Sequence, residues 1–146
     1  MGGIIFLFKN FIFVLLIFSF ISFAYQDNKP LFCGVDGTYC FYTNTSVSSD
    51  FISVDSSLAS TVKKGIKNLQ GESVCFKLDK GVIEKILKEY KAKFVVKECG
   101  KDFYTEYYYS NKIPYNRLIG GVKVNLQVAY SQNTAVVGSP IIYGSF

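Results

Sequence analysis

The sequence predicts an α+β domain in which an antiparallel sheet carries its helices on one face. Three observations predict this fold class. Two segments, residues 55–71 and 79–92, place apolar residues at helical spacing behind an aspartate suited to cap a helix. Residues 122–131 alternate apolar and polar side chains, as a strand does. The carboxy-terminal half runs strand, helix and four strands, so hairpin-linked strands should pair as neighbours while the helices cover one face.

Residues 1–24 predict a targeting segment. They hold one charge, Lys9, and are otherwise dominated by Phe, Ile, Leu and Val. Ser22 and Ala24 follow most of the apolar run and place small residues at the two positions that a signal peptidase reads. We therefore expect a signal peptide at 1–24 and a single domain at 25–146 that is secreted or extracytoplasmic, in the cell envelope. The alternative is an uncleaved amino-terminal anchor, which would be the only membrane contact.

Four cysteines lie in the mature part, and an even number in a small exported chain predicts disulfide bonds. Cys33 and Cys40 enclose two glycines and an aspartate, a turn-forming stretch that favours a Cys33–Cys40 bridge. Cys75 would then pair with Cys99, and closing that loop would contribute roughly 3 kcal/mol to stability. The other two pairings stay open. The lead at residues 25–50 is expected to be an irregular, disulfide-linked region.

Histidine is absent from the 146 residues, which excludes histidine-based catalysis. A zinc site is disfavoured because the cysteines form no Cys-x-x-Cys pair. A catalytic thiol would lack a histidine as its partner base. We therefore expect no metal ion and no cofactor.

Both predicted helices start behind an aspartate. Asp55 follows a short strand at residues 51–54 and precedes about four predicted turns, which end before Gly71. The apolar stripe of that helix consists of Leu58, Val62, Ile66 and Leu69. Asp79 follows a strand at residues 72–78 and caps the second helix. The stripe of the second helix consists of Ile83, Ile86, Leu87 and Tyr90.

Four strands are predicted after the second helix, at residues 93–99, 103–109, 122–131 and 134–142. Gly138 and Pro140 indicate a bulge or an edge position for the last strand. A Cys75–Cys99 bridge would require the strands at 72–78 and 93–99 to lie side by side or nearly so.

The charge balance is mildly basic. The chain has 16 Lys and Arg against 11 Asp and Glu, a net charge of +5, which falls to +4 when Lys9 is removed with the signal peptide. Lysines are scattered between Lys63 and Lys123 and form no basic run, which favours a solvated surface. Attraction to an anionic wall or membrane is the alternative. We expect no nucleic-acid partner.

Four short motifs stand out in the carboxy-terminal half: YYYS at 107–110, IP at 113–114, GVKVNLQVA at 121–129 and VGSPII at 137–142. With these motifs, about 70 residues of the chain resemble the YwmB family of exported bacterial proteins, which have a fold like that of the TATA-box-binding protein. The order strand, helix and four strands agrees with half of such a fold. The resemblance implies no enzymatic activity and no catalytic residue. It does not imply DNA binding either, since fold does not fix function.

The polar face of the strand at 122–131, together with the tyrosine-rich strand before it, is the candidate ligand-binding surface. Tyrosine and amide side chains are common where proteins recognise polar ligands. The candidate residues are Lys123, Asn125, Gln127, Tyr107 and Tyr109, with Tyr104 and Tyr108 on the same tyrosine-rich strand. The alternative is that the amides form an ordinary solvent face and that half of the tyrosines lie in the core.

These features predict a non-enzymatic binding or accessory module of the cell envelope, whose partner is a peptide, a glycan or an envelope protein. A secreted structural or interaction protein, similar to an effector or adhesin, is the first alternative. A glycan-acting hydrolase is the second, and Asp102 with Glu106 would be its carboxylate pair. On one strand those two residues would lie more than about 10 Å apart, too far for a retaining pair and slightly beyond the inverting range.

Overall fold

The structure, a computed structural model, describes residues 29–43 and 51–143 together with the single positions 12 and 14. The predicted signal peptide and its cleavage after Ala24 lie outside these two ranges. Within the described residues, no helix is long and apolar enough to cross a membrane.

The described residues form a seven-stranded antiparallel sheet, a two-stranded hairpin and two helices. In chain order the elements are β1 Thr38–Tyr42, β2 Phe51–Asp55, α1 Ser56–Gly65, β3 Gly71–Lys77, α2 Lys80–Glu89, β4 Lys93–Cys99, β5 Tyr104–Tyr109, β6 Arg117–Ile119, β7 Val122–Val124, β8 Leu126–Tyr130 and β9 Thr134–Ser139. The strand order in the large sheet is β2-β1-β3-β9-β8-β5-β4, and β6 pairs with β7 apart from it. The predicted α+β class is confirmed.

Both helices pack on one face of the sheet, which we call the helix face. Tyr39, Val74, Val137 and Val128 lie in register across β1, β3, β9 and β8, and all are buried on this face. α1 adds Ala59 to this core, and α2 adds Ile83 and Ile86. The opposite face carries Cys40, Ser73, Gly138, Gln127 and Tyr107, again in register.

The N-caps of the two helices differ. Asp79 Oδ1 accepts hydrogen bonds from the backbone N–H groups of Gly81 (2.8 Å) and Val82 (3.3 Å), whereas Asp55 makes no side-chain cap bond. Asp79→Ala should therefore lower the free energy of unfolding by about 1 kcal/mol, while Asp55→Ala should change it by less than about 0.5 kcal/mol. Urea unfolding of the two variants measures both values, and equal losses would contradict the assigned caps.

α1 is shorter than the spacing predicts. It ends at Gly65, the next residue is extended, and Asn68 has a positive φ of 60°. The helix ends here because the chain has to enter β3, which pairs with β1. A hydrogen bond from Gln70 N–H to Tyr42 O fixes this entry. Leu58 is 54% exposed, and the buried position of the first turn is Ala59.

Several strands differ from the prediction. β1 and β6 were not predicted, and the predicted strand at 122–131 is interrupted at Asn125. The edge position suggested for the last strand is wrong, because β9 lies between β3 and β8. The residues after β9 fold back over the opposite face and pass close to Gly138. A Cβ at position 138 would lie 2.5 Å from Ile142 Cγ1, so glycine is needed there.

The structure contradicts both predicted disulfide bonds, because Cys33, Cys40, Cys75 and Cys99 are all free thiols. Cys40 points to the opposite face. The turn that contains Cys33 instead contacts Tyr39, the residue before Cys40, on the helix face. Cys75 on β3 and Cys99 on β4 lie on opposite faces of the sheet. Three strands separate β3 from β4, which places the two strands about 19 Å apart at the usual spacing between neighbours. β3 and β4 therefore lack the side-by-side arrangement that a Cys75–Cys99 bridge would require.

Candidate functional site

The predicted ligand-binding surface is not a single solvent-facing patch. Asn125 is 1% exposed. Its Oδ1 accepts from Ser110 N–H (2.7 Å), and its Nδ2 donates to the carbonyl oxygens of Ser110 (2.6 Å) and Ile113 (3.1 Å). These three bonds hold the loop after β5 against the gap between β7 and β8. All the polar atoms of this side chain have partners within the protein.

The other four predicted residues are divided between different surroundings. Gln127 and Tyr107 are register partners on the opposite face, but they are only 6% and 8% exposed. Gln127 Oε1 accepts from Ile142 N–H (2.7 Å), and Tyr107 OH donates to Glu98 Oε2 (2.9 Å). Lys123 is exposed in the separate β6–β7 hairpin, and Tyr109 is 37% exposed at the end of β5.

A cleft of about 400 Å³ lies between α2 and the turn at residues 31–36. Two tyrosine hydroxyls fix that turn. Tyr90 OH, just after α2, donates to Leu31 O, and Tyr39 OH, on β1, lies 2.5 Å from Phe32 O and 3.0 Å from Val35 O. Burial, followed by the Cys33 charge, raises the pKa of Tyr39 to about 12, so its hydroxyl keeps the donated proton. Hydrogen bonds therefore tie the lead to the sheet where disulfide bonds were expected.

A buried ion pair between α1 and β3 also holds the turn at residues 31–36. Lys63 Nζ, on α1, lies 2.7 Å from Glu72 Oε1, on β3, and also donates to Lys29 O. The same Glu72 oxygen accepts from Leu31 N–H at 3.1 Å. Glu72 has no exposed surface, and burial raises the pKa of its carboxyl group above the ordinary value, while Lys63 opposes that shift. The position of the turn beside the cleft depends on this pair.

The cleft has an apolar floor and a charged rim. Phe32, Phe76, Val82 and Ile86 supply the floor. The rim carries charges of both signs, from Asp36, Asp79, Glu89, Lys77 and Lys85. The exposed residue Cys33, whose thiol is free, is also among the residues that line it. A volume of this size is in the range of ligand pockets, and the lining combines apolar side chains with charged ones.

A second polar cluster lies at the β4 end of the helix face. Glu106 Oε2 accepts from Tyr108 OH (2.8 Å) and Tyr130 OH (3.0 Å), and Lys97 Nζ lies 3.5 Å from Glu106 Oε1. Burial and these bonds raise the pKa of both tyrosines. Asp102 lies in the bend before β5, not on the strand. Glu106, one of the two carboxylates considered for a hydrolase, is thus held by Tyr108, Tyr130 and Lys97.

Among the residues that the structure describes, no group of three His, Cys, Asp or Glu side chains is placed to hold a metal ion. No family model matches the chain, and comparisons with curated proteins and with solved structures find no match either. The resemblance to the YwmB family stays a prediction.

Proposed function

We propose that the chain is a non-enzymatic binding or accessory module of the cell envelope, and that the cleft between α2 and the turn at 31–36 takes an apolar side chain of a peptide. The observation that carries this proposal is the cleft, whose floor combines Phe32, Phe76 and Val82. An apolar floor suits an apolar side chain, and a rim with both charge signs suits the polar backbone around it. The predicted signal peptide and the YwmB resemblance support the envelope location.

The anchoring of the turn supports a preformed site. Glu72 on β3, Tyr39 on β1 and Tyr90 just after α2 bind its backbone from three directions. A wall held in this way loses little conformational freedom when a ligand enters, which favours binding.

Cys33 offers a direct test, because this exposed residue lines the cleft while the exposed Cys99 lies away from it on β4. The probe is the blocked tripeptide Ala-Phe-Ala, with Ala-Ala-Ala as its matched control and a trimer of N-acetylglucosamine as the glycan arm. At ten times its Kd, the Phe peptide should slow alkylation of Cys33 by iodoacetamide about tenfold and leave Cys99 unchanged.

A variant that fills the cleft serves as the control for this experiment. Val82→Trp should abolish the protection of Cys33, whereas Leu118→Trp, on the exposed β6–β7 hairpin, should preserve it. If only the glycan protects Cys33, the ligand of the cleft is a glycan and the peptide proposal is wrong. Unchanged Cys33 reactivity with both probes would contradict the cleft as the binding site.

A further inference from the structure

The two edges of the large sheet differ in their protection against pairing. β4 carries Lys93, Lys97 and Glu98, and its register with β5 shifts between Phe94 and Val96. Charged side chains and bulges of this kind stop an edge strand from pairing with another chain. The β4 edge is therefore protected.

β2, the other edge, has none of these features. All five of its residues pair with β1 without a register shift, and it contains no proline and no lysine. Its one charge, Asp55, is at its carboxyl end. The outer backbone groups of β2 thus form a regular row suited to accept another strand.

Apolar side chains flank this edge on both faces of the sheet. Phe51 is 57% exposed and lies on the opposite face, beside Tyr42, while Ile52 is 42% exposed and lies on the helix face, beside Phe41. Leu58 is 54% exposed in the first turn of α1, which follows β2 directly and packs against it. A strand added to β2 would cover apolar surface on both faces.

We propose that β2 is a dimer interface, where a second copy of this chain adds its own β2 antiparallel to the first about a two-fold axis at Ser53. In this register Ile52 lies opposite Val54 of the second copy, both on the helix face, so two aliphatic side chains pair. Asp55 lies opposite Phe51, which separates the two aspartates by four residues, roughly 14 Å. This register therefore pairs aliphatic side chains on the helix face and keeps the two aspartates apart.

The two-fold axis also brings the helices together. It runs perpendicular to the sheet, so the helix faces of both copies lie on the same side. α1 and its copy then flank the joined strands, and each carries an exposed Leu58 in its first turn. Isologous pairing of this kind needs no other protein, and two-fold dimers are the commonest assemblies of soluble proteins.

Sedimentation equilibrium of the full chain, in density-matched detergent because residues 1–24 are apolar, tests the proposal. The wild-type chain should sediment as a dimer that dissociates on dilution. Ile52→Lys should weaken dimerisation at least about tenfold, because each dimer would then place two lysines opposite Val54. Val96→Lys, on the protected β4 edge at 37% exposure, is the matched control and should dimerise like the wild type.

Amide hydrogen exchange gives a second readout. Exchange at residues 51–55 should slow as the protein concentration rises through the dimer Kd, while exchange in β4 should not depend on concentration. A monomer at every concentration would overturn the proposal, whether or not another protein binds the edge. A dimer that Ile52→Lys leaves intact, or that Val96→Lys abolishes, would equally overturn it.

Discussion

Lys63→Met is expected to lower the free energy of unfolding by about 3–5 kcal/mol at neutral pH, because it leaves the Glu72 carboxylate buried without its partner charge. The Glu72 side chain has no exposed surface, and that of Lys63 is 9% exposed, so water cannot replace the lost ammonium. The remaining donor to Glu72 is the Leu31 N–H group, which is neutral. Urea unfolding at neutral pH measures the loss.

The loss should depend on pH in a defined direction. Burial raises the folded-state pKa of Glu72 above 4.5, so its contribution to stability is complete below that pH and is lost as pH rises through the folded-state pKa. Lys63 provides two of the three interactions that lower this pKa, and removing it raises the pKa further. The difference between wild type and Lys63→Met should therefore be largest at neutral pH and smallest below about pH 4.

Two further variants separate the ion pair from general effects of the substitution. Adding Glu72→Gln to Lys63→Met removes the buried charge while keeping an acceptor for Leu31, so most of the lost stability should return. Lys67→Met, at an exposed position just after α1, should change stability by less than about 0.5 kcal/mol. A Lys63→Met loss that is equally small, or that does not vary with pH, would contradict the buried pair.

Local sequence patterns predicted those elements whose formation depends on local interactions. The stripe of Ile83 and Ile86 behind Asp79 identified α2, and residues 93–99 coincide with β4. Alternation identified β8 and the face of Val128. In these segments the period of the apolar residues directly reports which side chains face the core.

Long-range order was not predictable from the same patterns. Nothing in the spacing of Cys75 and Cys99 shows that β9, β8 and β5 lie between their strands. The residues after β9 cover Gln127 on the opposite face, so alternation gave the correct face but the wrong exposure. The pairing of distant strands, which periodicity does not encode, decides both points.

The candidate site shows the same division. The glycines after Cys33 indicate the turn, and helical spacing places Tyr90 on the apolar stripe of α2. That the Tyr90 hydroxyl reaches Leu31 across 59 residues, and so forms one wall of the cleft, depends on how α2 crosses the sheet. Lys63 directly follows Val62 of the predicted apolar stripe, and this position is the sequence signal for its burial.

Asn125 is the second position at which a large effect is expected. Asn125→Ala removes an acceptor for Ser110 N–H and donors to the carbonyl oxygens of Ser110 and Ile113, all inside the protein. An unsatisfied buried group costs about 1–3 kcal/mol, so a loss of about 3–5 kcal/mol is expected for this residue. Asn125→Asp keeps the size and the acceptor but directs a carboxylate at two carbonyl oxygens, and it should be at least as destabilising.

The same variants decide between the structural role of Asn125 and the ligand-binding role that the sequence suggested. Lys123→Ala, at an exposed position of β7 two residues away, is the matched control and should change the free energy of unfolding by less than about 0.5 kcal/mol. If Asn125 served a ligand, its replacement would weaken binding and leave unfolding in urea unchanged. A large loss of stability at Asn125 alone is the expected result, because the three bonds that close the loop after β5 onto β8 all come from its side chain.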